Sequence, residues 1–141
     1  MTSSVRQTTS SVRVRYAETD KMGVVYHSNY LIWFEIGRTD WLRDTGWTYR
    51  EMEAIGFVLP VIEAHCDYTQ PARYDDELDI ETAGVLLSAV RVRFDYRVVR
   101  AADAIQLATG HTVHASLDPA GRPRRLPAQA QAVFETPDDR A

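Results

Sequence analysis

The sequence is poor in cysteine, in lysine and in long apolar runs. Cys66 is the only cysteine in 141 residues, so the chain can form no internal disulfide and no zinc site rich in cysteine. A reducing, cytoplasmic location is therefore expected. No stretch comes near the roughly 18 apolar residues of a membrane-spanning helix, and residues 1–7 lack the apolar run of a signal peptide. We expect no direct membrane span.

The charge balance argues against nucleic acid as a partner. The chain has 16 Lys and Arg residues against 20 Asp and Glu, a formal net charge of −4. Nucleic-acid binders draw affinity from many cationic contacts to phosphate, which an acidic chain supplies poorly. Lys21 is the only lysine, so nearly all positive charge is arginine, whose guanidinium can hold a phosphate through two hydrogen bonds. A few arginines that bind one phosphorylated ligand are compatible with this composition.

Length and composition predict one soluble domain. With 45% hydrophobic and 26% charged residues, the chain can bury a core without disulfide or metal. We expect a disordered tail rich in Ser and Thr over residues 1–10, a single domain over residues 11–136, and a short tail over residues 137–141.

Apolar spacing predicts one long helix and a short one after it. Apolar residues three and four apart mark a helix over Asn29–Thr45, and Gly46 is placed to end it. Capping-box spacing starts a second helix at Thr48. Gly37, inside the long helix, costs about 1 kcal/mol relative to alanine, so we expect another part of the backbone to approach closely there.

The other segments predict strands, most of them by alternation with a period of two and residues 57–69 as a long run that Pro60 interrupts, which suggests an edge position or a bulge. They start at Val12 and cover residues 57–69, 78–87, 90–98 and 105–117, with a short helix near residues 128–134. In the last strand, one face is predicted to carry Leu107, Thr109, His111, Val113 and Ala115. A long helix with a mostly antiparallel sheet is an α+β fold. Because such a sheet has two edges to cover, we expect a homo-oligomer.

The segment that can carry chemistry runs from Asp20 to Tyr30. It places a carboxylate and Gly23 in a predicted turn, just before the long helix begins. The first N–H groups of a helix have no internal partners and can polarise a carbonyl oxygen. Asp20 is then the candidate nucleophile or base, and the backbone N–H near His27 the candidate electrophile. On spacing alone, an aspartate before a glycine is more often a turn residue, and that alternative stays open.

The other polar residues favour structural roles. Ser28 has the position of a helix N-cap, and Glu35 and Arg38 have the spacing of an ion pair on a helix. His111 and His114 are three apart on a predicted strand, so their side chains point to opposite faces and cannot share a metal. No metal site is expected, and no motif indicates a cofactor.

One motif resembles a known family. It reads Thr19-Asp20-x-x-Gly23-Val24-Val25-Tyr26-His27-x-x-Tyr30, with Glu35 and Arg38 following. It closely resembles the hotdog-fold acyl-CoA thioesterases of the 4-hydroxybenzoyl-CoA thioesterase family. Within that family it is most similar to the branch associated with the Tol-Pal cell-envelope system, whose pattern residues 71–76 and 123–127 also match.

The resemblance implies a curved five-stranded antiparallel sheet wrapped around the long helix, in a homo-oligomer that is a dimer of dimers. It implies Asp20 as the catalytic carboxylate, either nucleophile or general base, and the helix start at His27 as the group that binds the thioester oxygen. The residues expected to contact substrate are Gly23, Val25, Tyr26, Tyr30, Phe34 and Arg73.

The function implied is hydrolysis of short-chain or aromatic acyl-CoA to the free acid and CoA, with acyl-CoA as the small-molecule partner and no cofactor. The alternative is a non-catalytic protein of the same fold that binds acyl-CoA or associates with the cell envelope.

Overall fold

A long helix packs against a five-stranded antiparallel sheet in this chain. The computed structural model describes residues 6–134. In chain order the elements are β1 (Gln7–Arg13), α1 (Asn29–Thr45), α2 (Tyr49–Ile55), β2 (Val61–Tyr68), β3 (Glu77–Ser88), β4 (Arg91–Arg100), β5 (Ile105–Ala115) and α3 (Ala128–Gln131). The strand order is β1-β3-β4-β5-β2, with each neighbouring pair antiparallel. The predicted α+β class and five-stranded sheet are confirmed.

The two helices begin and end where their local signals place them. Gly46 follows α1 with a left-handed φ of 98°, and its N–H donates to the Arg43 carbonyl at 3.0 Å. Such a backbone conformation suits glycine and ends the helix. At α2 the capping box forms as predicted: Glu51 N–H donates to the Thr48 hydroxyl at 3.2 Å, and Thr48 N–H donates to the Glu51 carboxylate at 3.0 Å.

Helix α1 lies directly on the sheet, and Gly37 is the point of closest approach. A β-carbon at Gly37 would overlap the Thr82 hydroxyl on β3 and lie 3.2 Å from Ile80 Cγ2. On either side of Gly37, Phe34 and Trp41 are fully buried and form the centre of the core. The close approach expected at Gly37 is present, but the atoms nearest to Gly37 belong to side chains of β3 and not to backbone. This contact sets the distance between the helix and the sheet.

Strand β1 begins at Gln7, so the structure corrects the predicted tail over residues 1–10. Gln7 pairs with Ala83 and Ser10 with Ile80 of β3. The Ser10 side chain is buried and its hydroxyl donates to Asp40 of α1 at 2.7 Å. Ser and Thr suggested a frayed tail, but an edge strand needs only backbone pairing and accepts polar side chains. The predicted tail residues 1–5 and 137–141 lie outside the described residues.

A bulge in β5 corrects the predicted face of that strand. Val98 of β4 pairs with Ala108 while Val99 pairs with Gln106, so Leu107 is an extra residue in the ladder. An extra residue shifts the alternation by one position. Thr112 and His114 are therefore buried on the helix side, whereas His111 reaches the exposed Glu63 at 2.7 Å. The prediction that Leu107 and His111 share one regular face is wrong.

Within residues 6–134, no helix is long and apolar enough to cross a membrane. The same part of the chain holds no group of three or more His, Cys, Asp and Glu side chains arranged to bind a metal ion.

A chain of polar side chains crosses the core beside α1. His114 Nδ1 donates to the Leu59 carbonyl at 2.8 Å, so Nε2 accepts from the Thr112 hydroxyl at 2.8 Å. Thr112 in turn accepts from the Tyr96 hydroxyl at 2.6 Å. Arg38 lies beside Tyr96 and Tyr49, and no ion pair with Glu35 is present among the described residues. The predicted pair on the helix surface is therefore not formed.

We expect Gly37→Ala to lower the free energy of unfolding by about 1–3 kcal/mol, because the added methyl group must displace the Thr82 side chain in a packed interior. The loss should exceed the roughly 1 kcal/mol that alanine gains over glycine in a helix. Urea unfolding followed by tryptophan fluorescence measures it. In a Thr82→Ala protein, Gly37→Ala should lower the free energy of unfolding by less than it does in the wild type. An equal loss in the two proteins would show that the overlap with Thr82 is not the cause.

Burial, together with the nearby Arg38 charge, lowers the pKa of His114 to about 4 from the ordinary 6.5. Between pH 6.5 and 4, His114 binds a proton in the unfolded chain but stays neutral in the folded chain. The free energy of unfolding therefore falls by up to roughly 3 kcal/mol as the pH is lowered through this range. Above pH 6.5 the contribution is fully present. We expect His114→Gln to flatten this pH dependence in chemical unfolding. The exposed His65→Gln is the control, and a flattening of equal size there would contradict the assignment.

Candidate active site

Asp20 sits in a tight loop that its own carboxylate closes. Its backbone N–H donates to the Val24 carbonyl at 2.8 Å, and its carbonyl accepts from Gly23 N–H at 3.0 Å. Side-chain Oδ1 accepts from Met22 N–H at 2.8 Å and from Val24 N–H at 3.4 Å. Gly23 has a φ of 81°, which favours glycine. The turn role left open by the sequence is therefore real, and it engages one of the two carboxylate oxygens.

The same loop occurs a second time in the chain, at Asp118. Asp118 Oδ1 accepts from the N–H groups of Ala120 and Arg122 at 2.9 and 3.0 Å. The Asp118 N–H donates to the Arg122 carbonyl at 2.8 Å, and Gly121 has a φ of 87°. The two Asp-x-x-Gly segments of this chain therefore share the same local geometry. What differs is the neighbourhood of the two carboxylates.

The Asp20 loop is joined directly to the start of α1. Tyr26 N–H donates to the Glu18 carbonyl at 2.8 Å, and Val25 N–H donates to the Ala72 carbonyl at 2.9 Å. These bonds place His27 and Ser28 at the open end of the helix. Among residues 6–134, no acceptor contacts the backbone N–H of either residue. The Ser28 side chain makes no capping bond, so the predicted N-cap hydrogen bond is not formed.

Two open clefts flank the helix start. One, of about 640 Å³, is lined by Asp20, Tyr26 and Asn29 with residues of the preceding turn. The other, of about 310 Å³, is lined by Val25, His27, Tyr30, Tyr68, Thr69, Gln70 and Pro71. In the single chain Asp20 and His27 therefore line neighbouring clefts. Tyr26 lines the larger cleft, and its ring lies 4.4 Å from that of His27, which lines the smaller one.

Three of the predicted substrate contacts, Gly23, Phe34 and Arg73, are not among the residues that line the two clefts. Phe34 is 0% exposed and its ring stacks on Tyr96 at 4.2 Å, so the structure places it in the core. It is a large apolar residue on the sheet-facing side of α1, which explains its burial. Arg73 is exposed and pairs through its backbone with Val24, so its side chain starts beside the Asp20 loop.

Tyr68 is a cleft residue that sequence reasoning missed. Its hydroxyl donates to the His27 carbonyl at 3.1 Å, and its ring lies 5.0 Å from that of Tyr30. Partial desolvation, helped by the neighbouring Cys66 thiol, raises the pKa of Tyr68 to about 12. Tyr30, 2% exposed, accepts from Ala72 N–H at 3.3 Å. Tyr68 is 41 residues from His27, and no local pattern reports such a contact.

The sequence matches the thioesterase-like superfamily over residues 14–136. The chain belongs to this family. The predicted hotdog architecture, and the prediction that the chain is an enzyme of the thioesterase class, are confirmed with it.

Similar proteins support this membership. The acyl-CoA thioester hydrolase YbgC of Escherichia coli O157:H7 is 33% identical over 125 residues, which is 88% of this chain and 92% of that protein. A 71-residue stretch is 45% identical to YneP of Bacillus subtilis (strain 168), covering 50% of this chain and 51% of that one. The crystal structure of a 1,4-dihydroxy-2-naphthoyl-CoA thioesterase from Synechocystis superposes with a TM-score of 0.85 at 27% identity, covering 92% of this chain and 96% of that one.

Proposed function

We propose that this chain hydrolyses a short-chain or aromatic acyl-CoA to the free acid and CoA. Water adds its oxygen to the thioester carbon, the bond from carbon to sulfur breaks, and sulfur leaves as the protonated thiol of CoA. The observation that carries the proposal is the Asp20 carboxylate in a loop tied to a helix start with open N–H groups. Similarity to proteins named acyl-CoA thioesterases supports the substrate class.

Asp20 activates the attack in this proposal. One carboxylate oxygen holds the loop through Met22, and the other has no partner among residues 6–134. That second oxygen either takes a proton from the attacking water, or attacks the carbon itself, which breaks the bond from carbon to sulfur, releases CoA as the thiolate and leaves an anhydride that water then hydrolyses. The closed loop holds the carboxylate in place, which favours either route because a positioned group reacts faster than a mobile one.

The helix start stabilises the oxygen of the thioester. Negative charge develops on that oxygen as the carbon becomes tetrahedral, and unpartnered N–H groups at a helix start favour such charge. His27 N–H is the donor we assign to this role. It needs no ionised side chain, so the contribution of the donor does not depend on pH.

Aromatic rings around the smaller cleft suit the acyl group. His27, Tyr30 and Tyr68 supply three rings around about 310 Å³, with Val25 as an aliphatic wall. This volume and lining fit a short or flat acyl group, since flat rings pack well on aromatic edges and faces. Tyr26 lines the larger cleft, Gly23 belongs to the Asp20 loop beside it, and Arg73 pairs with Val24 of that loop. We assign Arg73 to the phosphates of CoA, because a guanidinium matches phosphate geometry.

We expect Asp20→Asn to lower kcat by about 100-fold or more with an unchanged Tm, because the amide oxygen still accepts the loop N–H bonds while the negative charge is lost. Release of free thiol from a panel of acyl-CoA substrates measures the rate. Asp118→Asn is a matched control, since it makes the same change in the same kind of loop away from the helix start.

Equal activity of the Asp20 and Asp118 variants would refute the role of Asp20. If the wild type cleaves no thioester but acyl-CoA raises its Tm, the chain is instead a non-catalytic acyl-CoA-binding protein. The panel should contain aliphatic chains of increasing length and aromatic acyl groups, so that one experiment also decides between the two substrate classes.

A second copy of the chain completes this proposal. Strand β2 is one edge of the sheet, and Val61, Ile62 and Tyr68 on it are 44%, 48% and 49% exposed. An edge strand with apolar side chains pairs readily with another strand. We propose that β2 of one chain pairs with β2 of another, and that two such dimers form a tetramer. The smaller cleft, which Tyr68 lines, then lies next to the subunit boundary.

We expect Ile62→Glu to shift the mass in sedimentation to that of a smaller species, because a carboxylate would be buried against the partner strand. Leu87→Glu is the control: Leu87 is exposed to a similar extent, 45%, but lies at the end of β3. A wild type that sediments as a monomer, or equal behaviour of both variants, would contradict pairing through β2.

A further inference from the structure

Two consecutive peptide units at the start of α1 are each held by two hydrogen bonds. The Tyr26 carbonyl accepts from Asn29 N–H at 3.0 Å and from Asn29 Nδ2 at 3.2 Å. The His27 carbonyl accepts from Tyr30 N–H at 3.3 Å and from the Tyr68 hydroxyl at 3.1 Å. In each unit the first donor is the ordinary backbone bond of a helical turn, and the second is a side chain.

The second donor in each unit is itself anchored. Asn29 Nδ2 also donates to the Glu18 carbonyl at 3.1 Å. The Glu18 side chain is buried and accepts from Arg15 N–H at 2.8 Å. Tyr68 is held by β2 and by its ring contact with Tyr30. With its raised pKa, the Tyr68 phenol stays protonated and remains a donor through the neutral range.

Fixing a carbonyl also fixes the N–H of the same peptide unit. All peptides in the described chain are trans, so within a unit the N–H points away from the carbonyl. The unit held by Asn29 carries the N–H of His27, and the unit held by Tyr68 carries the N–H of Ser28. Both N–H groups point out of the helix start, and neither meets an acceptor among residues 6–134. A hydrogen bond accepted by a carbonyl also strengthens its partner N–H as a donor.

We propose that Tyr68 and Asn29 are positioning residues, which hold the peptide units of Ser28 and His27 so that two N–H groups bind the thioester oxygen together. The inference rests on the proposed function and deepens it. It adds Ser28 N–H as a second donor and gives the Tyr68 hydroxyl a role that packing does not require. Tyr68 is 49% exposed, so its hydroxyl contributes little to the core.

The test is a comparison of Tyr68→Phe and Asn29→Ala with the wild type in steady-state hydrolysis. We expect kcat to fall about 10-fold in each, less than for loss of an oxyanion donor itself, with KM within twofold. The charge on the oxygen develops only in the transition state, which is why kcat rather than KM should respond. Tyr74→Phe is the matched control, since Tyr74 is 58% exposed and its hydroxyl makes no hydrogen bond among residues 6–134.

Amide chemical shifts give a second readout that a purely structural role would not move selectively. In spectra of ¹⁵N-labelled protein, Tyr68→Phe should shift the Ser28 amide proton upfield more than that of His27. Asn29→Ala should shift the His27 amide in the same direction. The Tm of Tyr68→Phe should equal that of Tyr74→Phe.

The outcomes separate this inference from the function on which it rests. A wild type without thioesterase activity overturns both. An active wild type whose Tyr68→Phe variant keeps kcat within twofold, or loses activity only through KM or Tm, overturns the positioning role alone. A selective shift of the Ser28 amide together with the fall in kcat supports it.

Discussion

Helix α1 lies so close to β3 that position 37 has no room for a side chain. The rest of the site depends on this contact, because it fixes the height of the helix above the sheet. Tyr30 lies at the start of the same helix, and its hydroxyl accepts a hydrogen bond from Ala72 N–H. The Ala72 carbonyl accepts one from Val25 N–H. The Asp20 loop and the helix start are thus held against one another by bonds that run through a single segment. A small residue in the core decides where the polar groups of the surface lie.

The two Asp-x-x-Gly loops show what local sequence can and cannot decide. Asp20 and Asp118 share the turn, the left-handed glycine and the carboxylate that closes the loop. Nothing inside either loop distinguishes Asp20, to which we assign a catalytic role, from Asp118. The difference is that the Asp20 loop leads into a 17-residue helix, whereas Leu117, beside Asp118, pairs with Val58 and Pro123. The role proposed for Asp20 therefore depends on the helix start that lies next to its loop.

The difference between local and distant contacts explains which features the sequence predicts correctly. The limits of α1 and the capping box of α2 depend on residues within one or two turns of each other, so Gly46 and Glu51 could be interpreted without the fold. The start of β1, the bulge at Leu107 and the contact of Tyr68 with His27 depend on partners far along the chain. Periodicity cannot report such partners, since a bulge breaks the period and an edge strand accepts polar residues. Resemblance to a family, and not spacing, identifies Asp20 as a candidate, since spacing alone favours a turn.

Strand β2 connects the two proposals made for this chain. Its outer edge is the surface assigned to a second copy, and its last residue, Tyr68, bonds to the peptide unit at the start of α1. An edge strand alone in solvent is held by one neighbour, β5, whereas a paired one is held on both sides. Pairing of β2 would therefore restrict the motion of Tyr68 and, through it, of the Ser28 N–H. Under these proposals, association of two chains and ordering of the Ser28 N–H are thermodynamically coupled. Any interaction that stabilises the paired β2 strands also stabilises the orientation of the Ser28 N–H.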